Sequence, residues 1–112
     1  MPKYEIFETD RFLCDVEEAA VWILQSNLEQ SENLALEKLL EFQQDIQSLK
    51  VRLREFPESG ESDAVPGLRK FPLYGGRYSA KWIVNHAQVS VTLISLADSK
   101  YPKQLRDFSF ED

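Results

Sequence analysis

The side chains best equipped for chemistry are bases and phenols in the last part of the chain: Arg69, Lys70, Tyr74, Arg77, Tyr78 and Lys81. Guanidinium and ammonium groups neutralise phosphate oxygens, and a phenol ring beside them can stack on a nucleobase. The same bases would also serve as a solvated sheet face or as a dock for an acidic partner. Other chemistries find no support: there is no glycine-rich phosphate loop, no metal-ligand set and no Ser/His/Asp arrangement. No cofactor or metal is expected. His86 is the only histidine and lies in a short polar link, where a solvated turn residue is the simplest reading. Cys14 is also alone, which excludes an intrachain disulfide and a cysteine-based zinc cluster. It lies in an apolar run with Asp15 and Glu17 beside it, so a small core filler is expected rather than a thiolate nucleophile.

The charge balance bounds these options. The chain has 112 residues, enough for one domain, with 13 Lys+Arg against 19 Asp+Glu and a formal net charge of −6. That average excludes a polybasic nucleic-acid binder. It also hides a division: residues 1–66 carry 6 bases and 15 acids, whereas residues 67–112 carry 7 bases and 4 acids. Between positions 67 and 106 only Asp98 opposes the bases. With 43% hydrophobic residues the chain can bury a core, and it has neither a signal-peptide pattern nor an apolar run long enough for a spanning helix. A cytoplasmic protein, with no membrane partner, is the default expectation.

The elements that would position the bases follow from periodicity. Residues 4–8 form a β-prone run, and Thr9 or Asp10 can cap the helix that follows, with apolar residues at Phe12/Leu13, Val16, Ala19/Ala20 and Ile23/Leu24. After a polar break, Ser31 or Asn33 can cap a second helix. Its seam runs Ala35, Leu39, Phe42, Ile46, Leu49, Leu53, Phe56, a heptad spacing that Leu36, Leu40 and Val51 widen, and Pro57 ends it. Such a seam serves either the chain's own core or a homodimer. Residues 57–67 form a polar loop, and then the period changes to two. Strands are expected over 68–73, from Tyr78 to Val84, and from Val89 to about Leu96, the last two joined as a hairpin through 85–88. Trp22 and Trp82 fit apolar faces. Residues 98–112 form a polar tail. The order β-α-α-β-β-β implies an α+β domain spanning 1–112, with a helical hairpin on one face of a small, mostly antiparallel sheet.

In that order the chain resembles the RelE/ParE superfamily, toxins of bacterial type II toxin–antitoxin pairs. The resemblance covers the opening strand, the helical hairpin ending Leu53-Arg54-Glu55-Phe56-Pro57, the segment Pro66-Gly67-Leu68-Arg69-Lys70-Phe71, the strand Gly76-Arg77-Tyr78-Ser79-Ala80-Lys81-Trp82, and Val89 to Leu96. It implies a toxin that inhibits growth through a macromolecular target, ribosome-bound mRNA or DNA gyrase, and that a cognate antitoxin silences. Its alternative is a catalytically silent interaction module of the same fold.

The resemblance also distributes roles. RNA cleavage by 2′-OH attack needs a base, an acid and cations on the phosphorane. Arg77, Lys81 and Tyr101 would be the catalytic residues of a metal-independent mRNA endonuclease, and Arg69, Lys70, Tyr74, Lys100 and Lys103 would contact RNA or the partner. The family's nucleases usually carry an arginine directly after the aromatic that opens the middle strand, and here Ser79 stands in that place. A lysine does not replace the bidentate grip of an arginine.

Overall fold

The computed structural model describes residues 3–99. Its elements run β1 (Glu5–Glu8), α1 (Asp10–Leu28), α2 (Glu32–Glu55), β2 (Glu61–Ser62), β3 (Arg69–Leu73), β4 (Tyr78–Asn85) and β5 (Ser90–Asp98). The caps are Thr9 and Ser31, whose side chains accept from the Phe12 and Leu34 amides. Asp10 and Glu32 occupy the first turns, and Arg52 and Arg54 the last turn of α2, each placed to complement the helix dipole.

The sheet has the order β1-β5-β4-β3-β2. β1 lies parallel to β5, in register Ile6 with Val91, and every other pairing is antiparallel. The partner that the opening strand requires is therefore the last strand. The register of β4 against β5 shifts between Lys81 and Trp82, which lets both Leu93 and Leu96 point inward.

The helical hairpin covers one sheet face. Phe12, Ile23, Phe42 and Leu53 close on Ala80, Trp82, Val91 and Leu93, all fully buried. Five positions of the heptad seam, Ala35, Phe42, Ile46, Leu49 and Leu53, are spent on this core. Those five positions of the seam are thus used within the chain.

Several sequence expectations are corrected. Leu36, Leu40 and Val51 are exposed, because a 3.6-residue helix packed along one side buries one stripe. Phe56 is the C-cap of α2 and is 64% exposed, since the chain turns away before the seam completes another repeat. Trp22 is 42% exposed rather than core, and Cys14 is exposed on the outward side of α1. The loop over 57–67 contains the two-residue strand β2. Val89 takes a left-handed turn conformation (φ 52°), so β5 begins at Ser90 and continues to Asp98.

Candidate functional site

Strand alternation divides the predicted bases between two faces. Directly opposed residues in a sheet share a face. Arg69 pairs with Trp82 and lies on the helix side, whereas Lys70 pairs with Lys81 on the outer, helix-free side. Ser79, two residues before Lys81 in β4, shares that outer side.

On the outer side an acid joins the two lysines. Asp63, just after β2, places Oδ1 3.5 Å from Lys81 Nζ and 4.0 Å from Lys70 Nζ, with only 7% of its side chain exposed. Burial opposes ionisation of this carboxyl, but the Val65 amide, which donates to Oδ2, and the two ammonium groups outweigh burial and hold its pKa below the ordinary value. Glu61 stands opposite Lys70 in the β2–β3 pair. Farther along the same face, Phe7 and Ile83 flank Thr92, and both are nearly half exposed. Two cations, a counterion with a largely covered side chain and an exposed aromatic ring thus share one open sheet face.

Arg77 sits elsewhere. It precedes β4 and grips Asp98 in a two-pronged ion pair, Nε to Oδ1 at 2.9 Å and Nη2 to Oδ2 at 3.2 Å. Its guanidinium carbon lies 3.9 Å from the centre of the Trp22 ring. This stack explains the exposed tryptophan: Trp22 forms the floor for an arginine at the end of the sheet. Tyr78 next to it is buried, and burial pushes its hydroxyl pKa up against the opposing pull of Arg77.

Arg69 is a loop anchor. Its Nη2 donates to the Gly60 carbonyl (3.1 Å) and its Nε to the Ser59 carbonyl (3.4 Å). Trp82 Nε1 donates to the Pro57 carbonyl (2.8 Å), so the two side chains together fix the chain leaving α2. Tyr74 takes a left-handed turn conformation (φ 52°), and its amide donates to Asp45 Oδ2 (2.9 Å). Its ring packs edge-on against Phe42, at one end of a groove of about 560 Å³ between α2 and β3 that Arg52 and Phe71 also line. Tyr101, Lys100 and Lys103 lie outside the described residues.

His86 is solvated as expected but has partners that sequence distance hides. Its Nε2 lies 2.9 Å from Glu58 Oε1 and its Nδ1 2.7 Å from the Tyr4 hydroxyl. A carboxylate only accepts, so Nε2 carries a proton towards Glu58. The His86 hydrogen bond, with the attraction of its charge, holds the Glu58 carboxyl below its ordinary pKa. The cluster pins the β4–β5 turn to the end of α2.

Of the predicted site residues, the described structure therefore brings Lys70 and Lys81 together with Ser79, and separates them from Arg69, Arg77 and Tyr74. Alternation within β3 already implied the split of Arg69 from Lys70. Asp63 and Phe7 were missed. One lies in a loop with no periodic signal, and the other reads as an ordinary strand aromatic.

Among the described residues no group of His, Cys, Asp or Glu is arranged to hold a metal ion, and no helix is long and apolar enough to cross a membrane. No family model and no curated protein matches the sequence significantly. Solved structures do match. A chain of the chromosomal ParDE system of P. aeruginosa is similar at 18% identity with TM-score 0.61, covering 86% of this chain and 96% of that one. A chain of the intact E. coli RelBE toxin–antitoxin complex is similar at 16% identity with TM-score 0.53, again covering 86% and 96%. A mutant E. coli RelE toxin in complex with an antitoxin RelBc peptide is similar at 14% identity and TM-score 0.58, covering 96% and 94%.

Proposed function

We propose that this chain, which has the RelE/ParE-like toxin fold, is the toxin-side member of a toxin–antitoxin pair, inhibiting growth by binding a macromolecular target and neutralised by a cognate antitoxin. The observation that carries this reading is the fold match over 86–96% of the chain to components of such pairs. The groove between α2 and β3 and the exposed apolar side chains of the hairpin supply surface for an antitoxin segment.

The side-chain geometry supports action by binding over RNA cleavage. Catalysis needs an acid–base pair and a cation able to grip the phosphorane. Arg77 is committed to Asp98 and Trp22, the outer-face lysines share Asp63, and Ser79 occupies the position where the nuclease pattern has arginine. Inhibition of ribosome-bound mRNA use or of gyrase thus rests on contact surface and charge.

Mapping of mRNA ends after induction, paired with a supercoiling assay on purified gyrase, tests the mode of action. The binding reading predicts no codon-spaced cuts. Codon-spaced cuts that disappear in Arg77→Ala and Tyr101→Phe would instead establish the endonuclease.

A further inference from the structure

The side of α2 turned away from the sheet carries an apolar stripe that the described residues leave bare. Leu36, Leu40 and Val51 are each more than half exposed. At about 100° per residue they fall on one side of the helix with the exposed Gln47, away from the buried seam. The stripe runs about 22 Å along the helix. The charges beside it are divided along the same axis. The first half of α2 holds Glu32, Glu37, Glu41 and Asp45 against Lys38, and the second half holds Lys50, Arg52 and Arg54 against Glu55. The helix dipole accounts for Glu32 and for the arginines of the last turn, but it fades within a turn of each end. Glu37 and Glu41 lie beyond its reach. A helix acidic in one half and basic in the other is complementary to itself reversed.

We propose that the exposed side of α2 is a dimer interface, packing antiparallel against α2 of a second copy of this chain across a two-fold axis near Gln44. Reversal about that point sets Leu36 opposite the partner's Val51 and Leu40 opposite the partner's Gln47. The two-fold axis brings each flank of the helix against the same flank of its partner, and every contact occurs twice. On one flank Glu37 then meets the partner's Arg52, and on the other Glu32 meets the partner's Arg54. Arg52 stacks its guanidinium over the Phe71 ring at 5.4 Å, which uses its flat face and leaves N–H groups at its edge for a carboxylate. Lys50 stays outside this set because it pairs with Glu8 at 3.0 Å. Leu28 beside the α1–α2 turn and Phe56 just past the far end of α2 are exposed as well, and reversal brings one towards the other. The order of charges is what singles out a second copy. An unrelated partner has no reason to match the reversed sequence of α2 itself. The proposal stands apart from the toxin reading, and it leaves the outer sheet face of each copy open.

Sedimentation velocity of the full chain over roughly 1 to 500 µM tests this. The expected result is a reversible monomer–dimer equilibrium of the 13.0 kDa chain. A contact one helix long lies at the small end of specific interfaces, so the dissociation constant should be on the order of 10 µM. Leu40→Gln removes an apolar contact twice per dimer and is expected to weaken association about thirtyfold. Glu37→Arg and Arg52→Glu each set like charges together across the interface and should weaken it about tenfold. The double variant should recover most of the parent affinity, because the pair is restored in the opposite sense. Should Arg52→Glu melt early through loss of its stack on Phe71, Glu32→Arg with Arg54→Glu makes the same test on the other flank. A parent chain that stays monomeric over this range would overturn the proposal. So would a dimer indifferent to Leu40→Gln, or a double charge swap as weak as the single ones. A monomeric parent that loses a co-purifying protein on Leu40→Gln would assign the stripe to that protein instead.

Discussion

Arg77 shows how one side chain can be chemically suited to a task and structurally engaged in another. Its pair with Asp98 is largely shielded, each side chain being 18% exposed, and the Trp22 ring covers the guanidinium plane. Removing one partner of such a pair costs more than the pair contributes, because the remaining charge is left in a poorly hydrated place. Arg77→Ala should therefore lower unfolding stability by about 2 kcal/mol, below the fully buried limit because the site is partly wet. Arg77→Lys should recover only part of that, since an ammonium group cannot make the fork. Urea melts followed by circular dichroism measure both, and an Arg77→Ala protein as stable as its parent would show that the pair is ornamental. The sequence identified Asp98 as the lone acid among the late bases, so half of this contact was readable. The Trp22 floor was not, because helical periodicity cannot distinguish a core tryptophan from one that shelters a cation at the rim.

At the scale of elements, the two helices and three main strands were legible because their periods are unambiguous: 3–4 spacing in the helices and alternation after residue 67. Their ends were less so. β2 is too short to carry a period, and it exists because the chain leaving α2 is fixed by Trp82, Arg69 and Gly60 rather than by its own propensity. Gly60 is the critical residue of that connection. Its φ of +81° is open to glycine, and a Cβ there would collide with the Lys70 carbonyl oxygen and press on Trp82. Gly60→Ala is expected to destabilise the fold by about 2 kcal/mol through strain and displacement of the β2 segment. Amide hydrogen exchange should report faster exchange localised to residues 59–70. Uniform protection in the variant would mean that the β2 segment is not held by this turn.

The molecule as a whole revises the charge picture that its sequence suggests. Acids concentrate in the first 66 residues and bases in the remainder, yet the fold does not keep the halves apart. Asp63, the last acid of the first half, folds back onto the strands and lies against both Lys70 and Lys81, and Glu61 stands opposite Lys70 in the β2–β3 pair. Asp98 does the same for Arg77 at the other end of the sheet. The basic face expected from chain halves is thus largely paired within the described residues, which is why binding fits the structure better than phosphodiester cleavage by free arginines. The fold and its likeness to toxin chains were readable in the order of elements. The distribution of charge was not, since it depends on which side of a strand each base faces and which acid a loop returns to it.

As the toxin of a pair, this chain would arrest growth and a partner would relieve the arrest. Induced expression in a bacterial host, with colony counts taken alone and with co-expression of the protein encoded by the adjacent reading frame, tests it most directly. Toxicity requires a fall in viable counts on induction, restored by the co-expressed partner with which the chain co-purifies. Undiminished counts from cells that accumulate the folded protein would contradict it.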